Sequence, residues 1–123
     1  MKVAIASNDG VTISAHFGRT AGFVIFDIEN GKIKERVFRK NDFTGHARGL
    51  EGASHAVDRH GPILKALKDI HTVIANGMGR RIYDDLKNAG IETFIVQERD
   101  THQAINLYLE NSLQNHPEKG CEH

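Results

Sequence analysis

The sequence predicts a single α/β domain built on a five-stranded mixed sheet with helices on its faces. Three observations lead there. The run Val3-Ala4-Ile5-Ala6 is continuously apolar, which suits a strand buried on both faces. Asn30-Gly31 lies between two strand-like segments and tolerates positive φ at both centres of a tight hairpin turn. Beyond Pro62 the pattern changes to short strands alternating with helices. At 123 residues the chain is the length of one ordinary domain. Leu, Ile, Val and Phe make up roughly a quarter of it, above the ~20% below which a chain fails to form a core.

Each element has its own signal. After the first strand, Phe23 to Ile28 forms a second. The third, about Lys32 to Arg39, is alternating and charged, as an edge strand should be. Pro62 fits the first turn of a helix whose face carries Ile63, Leu64, Leu67 and Ile70. Thr72-Val73-Ile74-Ala75 is a short buried strand. Arg80 to Ala89 reads as a helix with Ile82, Leu86 and Ala89 on one stripe, closed by Gly90 in the left-handed conformation. Glu92 to Val96 is the fifth strand. Asp100 with Gln103 resembles a capping box opening a helix to about Leu113. Residues 1–113 therefore form the domain, and residues 114–123, polar and holding Pro117 and Gly120, a flexible tail.

Composition narrows function by exclusion. Sixteen basic residues balance sixteen acidic ones, so no charge excess points to nucleic acid or an acidic membrane. Apolar runs stop at about four or five residues, far short of the ~20 needed to cross a bilayer, and no secretory leader is evident. With a lone Cys121, the expected compartment is the cytoplasm. A single Cys also excludes a disulfide framework and any CxxC-type metal site. The conspicuous excess is eight histidines, each a metal-competent nitrogen donor.

Asn76-Gly77-Met78-Gly79-Arg80-Arg81 passes straight from a strand into a helix. Free N–H groups at a helix start attract anions, and the two arginines add cationic donors. A tight turn with solvated arginines is the plainer alternative. The turn is no dinucleotide fingerprint, since Ile82 stands where the third glycine would be. Ser7-Asn8-Asp9-Gly10 leaves the first strand and leads to His16-Phe17-Gly18-Arg19, at the same end of the sheet if the first and fourth strands are parallel neighbours. There the imidazole suits a metal and Arg19 an anion, or the segment is an ordinary turn with a surface histidine. The 22 residues Lys40 to Gly61 exceed the usual limit for an unstructured loop and carry His46, His55 and His60. They form either a flap bringing ligands to the sheet end or a mobile polar loop. In the tail, His116, Cys121 and His123 make a soft donor set without preformed geometry.

Taken together, these motifs resemble the dinitrogenase iron–molybdenum cofactor biosynthesis family, of the NifX, NafY and NifB C-terminal-domain type. The carriers are Val3 to Gly10, His16 to Arg19, Val73 to Arg81, Asp85 to Glu92 and Ala104 to Leu109, five segments in the family's order. The resemblance implies a ribonuclease H-like fold and a non-catalytic carrier of an iron–sulfur or iron–molybdenum-type cluster, exchanging it with a cluster-assembly or recipient metalloprotein. Carried over residue by residue, His16 is the expected metal ligand; His46, His55 and His60 stand on a loop that matches no family motif and are secondary candidates only. Ser7, Asn8, Phe17, Gly18, Arg19, Gly77, Met78, Gly79 and Arg80 are the expected cluster-binding residues. Two competitors use other chemistry. A metal- or anion-sensing regulatory domain would share the glycine turn and the histidines. A metal-dependent nuclease would need clustered carboxylates around paired ions, whereas Asp27 is the one acid well inside a central strand.

Overall fold

Val3, Ala4, Ile5 and Ala6 are completely shielded from solvent, as the middle strand of a sheet covered on both faces requires. The computed structural model describes residues 1–17, 20–41 and 67–116. Within them the elements run β1 (Lys2–Ser7), β2 (Gly22–Glu29), β3 (Lys32–Lys40), β4 (Thr72–Ala75), α1 (Arg80–Asn88), β5 (Glu92–Ile95) and α2 (Thr101–Leu109). The five strands form one sheet in the order β3-β2-β1-β4-β5. β1 pairs antiparallel with β2 and parallel with β4, while β3 and β5 continue the antiparallel and parallel halves. The mixed five-stranded sheet expected from the sequence is the one observed.

Side chains alternate across β1 and build two cores. Ala4 and Ala6 join Phe23, Ile25, Val73 and Ala75 on the face that receives Ile82 and Leu86 of α1. Val3 and Ile5 join Val24, Phe26 and Ile74 on the face that receives Ala104 and Ile105 of α2. The hairpin closes as expected, with Asn30 at φ 55° and Gly31 at φ 75°.

Both helices stop by one device. In α1, Gly90 sits at φ 84°, its N–H bonds to Lys87 O, and Ile91 N–H reaches back to Leu86 O. In α2, Asn111 takes the glycine's place at φ 59°, with Asn111 N–H on Tyr108 O and Ser112 N–H on Leu107 O. α2 therefore ends at Leu109 rather than near Leu113, because an Asn in the left-handed region satisfies the last carbonyls four residues early. Its start is as expected: the Asp100 carboxylate accepts from Gln103 N–H at 3.0 Å.

Other expectations shift. Ala89 is exposed and caps α1 rather than extending its apolar stripe. Leu67 and Ile70 are buried as the expected helical face requires, but Leu67 to Asp69 form a turn. The rest of the helix expected from Pro62 lies outside the described residues. Of the segment read as a tail, Asn115 and His116 dock on β5: Asn115 Oδ1 accepts from Ile95 N–H at 2.9 Å, and His116 N–H donates to Ile95 O at 2.7 Å. An unpaired sheet edge supplies those backbone groups, which is why so polar a stretch can settle there. Cys121 and His123 lie outside the described residues. No described helix is long and apolar enough to cross a membrane.

Candidate functional site

Two loops leave the same end of the sheet and are bonded to one another. After β1 the chain turns at Gly10, φ 83°, around the Asp9 carboxylate. That carboxylate accepts from Val11 N–H at 2.8 Å, Thr12 N–H at 2.7 Å and the Thr12 hydroxyl. The backbone donors of Thr12 and Val11 hold the Asp9 carboxyl at about 2, against an ordinary 3.8. Ser14 N–H then returns to Ala6 O at 2.7 Å, and Ser14 O accepts from Asn76 N–H at 3.2 Å. Phe17 N–H donates to Gly77 O at 3.0 Å. The His16 loop and the glycine turn after β4 are thus joined at two points, by residues about sixty positions apart in the chain.

Several expected site residues prove to hold this scaffold with their side chains. Ser7 is buried and its hydroxyl accepts from Gly10 N–H at 2.8 Å. Asn8 Oδ1 accepts from Ala21 N–H at 2.8 Å, tying the loop to the start of β2. Phe17 is wholly buried against Phe23, ring centroids 5.3 Å apart, and Met78 is buried in the same core. Ser7, Phe17 and Met78 face inward, where a loop must be pinned or a core filled, whereas Asn8 is exposed and pins the loop from the surface. His16, by contrast, is exposed, with its backbone clasped by the Ser14 hydroxyl. Gly77 is buried and Gly79 half-buried at the head of α1. Gly18, Arg19, His46, His55 and His60 lie outside the described residues. His71 is exposed beside β4, and His102 sits in the first turn of α2 with its ring edge-on to Phe26 at 6.0 Å.

The head of α1 is electrostatically unusual. Gly79 is its N-cap and supplies no side-chain hydrogen bond, and the first turn holds no acidic residue. Arg80 and Arg81, both exposed, open the helix instead. Cations at a helix N-terminus oppose the macrodipole, and the first N–H groups lack an intrahelical acceptor. An anion seated there satisfies both.

A cleft of about 530 Å³ runs along the same end of the sheet, lined by Thr12, Ile13, Ala15, Asn76, Val96, Gln97 and Arg99. The Asn76 amide donates to Val96 O at 2.8 Å and Glu98 O at 2.7 Å, fixing the exit of β5 against the exit of β4. Ile13 N–H to Arg99 O at 2.7 Å and Thr101 N–H to Val11 O at 2.9 Å strap the Arg99 segment to the first loop. Arg99 and Gln97 escaped the sequence reading. Parallel β4 and β5 end side by side, so ligand binding beyond the carboxyl ends of such strands was the available signal. A second recess of about 450 Å³, between Met1, Phe94, Tyr108 and Leu113, lies at the opposite end of the sheet, away from both loops. Among the described residues, no group of three His, Cys, Asp or Glu side chains is poised to hold a metal ion.

A family model described as dinitrogenase iron–molybdenum cofactor matches residues 1–111, nearly the whole chain. The chain belongs to that family. Membership supports a role in iron–molybdenum cofactor biosynthesis. Among relatives, an uncharacterised protein of Methanocaldococcus jannaschii is 29% identical over 114 residues, covering 93% of this chain and 90% of its own. The FeMo cofactor biosynthesis protein NifB of Herbaspirillum seropedicae is 27% identical over 106 residues, or 84% of this chain. That match takes in only 18% of NifB's length. Among solved structures, the protein PH0822 superposes with a TM-score of 0.73 at 25% identity, over 94% of both chains.

Proposed function

We propose that this family member is a non-catalytic carrier that holds an anionic metal–sulfur cluster of the iron–sulfur or iron–molybdenum type between the His16 loop and the head of α1. One observation carries the reading: an uncapped helix start led by Arg80 and Arg81 is bonded, through Gly77 O, to the loop that presents His16. The donor chemistry fits such a cargo. Helix-start N–H groups and guanidinium groups hydrogen-bond to sulfides, and an imidazole supplies one exchangeable metal ligand. A single imidazole among weak donors favours release, which a set of thiolates would oppose. Arg99, on the neighbouring cleft, adds positive charge at the same end of the sheet. The strand order β3-β2-β1-β4-β5 with antiparallel β2 supports the ribonuclease H-like assignment. The role assigns the chain a cytoplasmic place and a cluster-assembly or recipient metalloprotein as partner.

The test is anaerobic reconstitution with iron and sulfide, followed by iron and acid-labile sulfide analysis after gel filtration. The carrier retains both. His16→Ala lowers retention at least tenfold while leaving stability within about 0.5 kcal/mol, since His16 is exposed. Binding of metal without sulfide would favour a metal- or anion-sensing domain instead, and unchanged retention in His16→Ala would remove that residue from the site.

A further inference from the structure

β3 is nine residues long, lies at the edge of the sheet, and is exposed along most of its length. Among the described residues no strand pairs with its outer side. Its sequence, Lys32 to Lys40, carries five cations and one acid, Glu35. Lys34 pairs with Glu29 and Arg39 with Asp69. The register then sets out the others: Arg36 lies opposite Phe26, Phe38 opposite Val24 and Lys40 opposite Gly22. Residues two apart share a face, so Arg36, Phe38 and Lys40 form a stripe of cation, aromatic, cation.

Two members of the stripe, Arg36 and Phe38, are held although they are exposed. Phe38 is 44% accessible, yet its ring lies so close over Gly22 that a Cβ there would fall 2.5 Å from Cζ. Arg36 donates to Gly10 O and stands over the Phe26 ring at 6.0 Å. An exposed aromatic held in place between cations, beside a strand edge that no described strand pairs with, is a recognition surface for an extended chain.

From this we infer that β3 docks an acidic extended segment of a partner protein, which adds to the sheet as a sixth strand and sets an apolar side chain on Phe38 between two carboxylates facing Arg36 and Lys40. A second copy of this chain fits badly. Full-length antiparallel pairing of β3 with itself places Arg36 against Arg36 and Lys32 against Lys40, and like charges directly opposite are destabilising. Because Arg36 holds Gly10, the docked segment lies next to the loop after β1. The inference goes beyond the cargo and stands without it.

The probe is a fluorescent nine-residue peptide of threonines carrying glutamate, isoleucine and glutamate at alternate positions, against the same peptide with lysines for glutamates. In fluorescence anisotropy the acidic peptide binds at least tenfold tighter, and it moves the β3 amide resonances. Lys40→Glu and Phe38→Thr each weaken it at least tenfold in protein with an unchanged circular dichroism spectrum. Lys87→Glu, the same charge change on α1, leaves affinity within twofold. Equal binding of both peptides, no binding, or equal losses in all three variants would overturn the inference. So would a dimer in sedimentation that Phe38→Thr dissolves, since the edge would then belong to a second copy.

Discussion

Asp9 shows how much one side chain organises. Its carboxylate gathers the N–H groups of Val11 and Thr12, and so shapes the loop that leads to His16. With its pKa lowered to about 2, that contribution is full above the ordinary 3.8 and is lost as pH falls through about 2. The amide resonances of Val11 and Thr12 should therefore titrate with a midpoint near 2; a midpoint near 3.8 would mean that the carboxylate does not hold the loop. Phe17 acts from the other side of the same loop. Phe17→Ala should cost about 3–5 kcal/mol in denaturant unfolding, because the ring is wholly buried beside Phe23. The variant should also loosen the Phe17–Gly77 bond and, on the proposed carrier role, lower cluster retention. Sequence marked His16 and Phe17 together, but their side chains divide, one to solvent and one to the core. A loop has no period from which that division can be read.

At the scale of elements, Gly90 and Gly22 pose opposite problems. Gly90 has open space around it and a φ of 84°, so Gly90→Ala should cost about 1–2 kcal/mol through backbone strain alone. Gly90→Asn should recover part of that, as Asn111 does at the end of α2. Gly22 has ordinary φ but no room: a Cβ would sit 2.7 Å from Arg39 O, which the β2–β3 pairing holds in place. Gly22→Ala should cost about 1–3 kcal/mol and displace Phe38. Thermal unfolding of the three variants checks both arguments. The Gly90 terminator was legible because a left-handed cap leaves a glycine just past an apolar stripe. Gly22 was not, since steric exclusion across a strand pair depends on which residue lies opposite. The pairing of β2 with β3 followed from the hairpin turn between them. The docking of Asn115 and His116 on β5 did not, because a backbone edge attracts a partner whatever its side chains.

For the whole molecule, the bond between Phe17 and Gly77 has a consequence in time. One wall of the site is made early in synthesis and the other only when most of the chain exists, and nothing local joins them before the sheet closes. On the carrier role proposed above, a nascent chain has no complete site for a cluster, so loading follows folding. By the same linkage, a cluster bound as proposed would stabilise the folded state. On the proposed carrier role, discharge at a recipient would combine exchange of the His16 ligand with separation of the loop after β1 from the turn after β4.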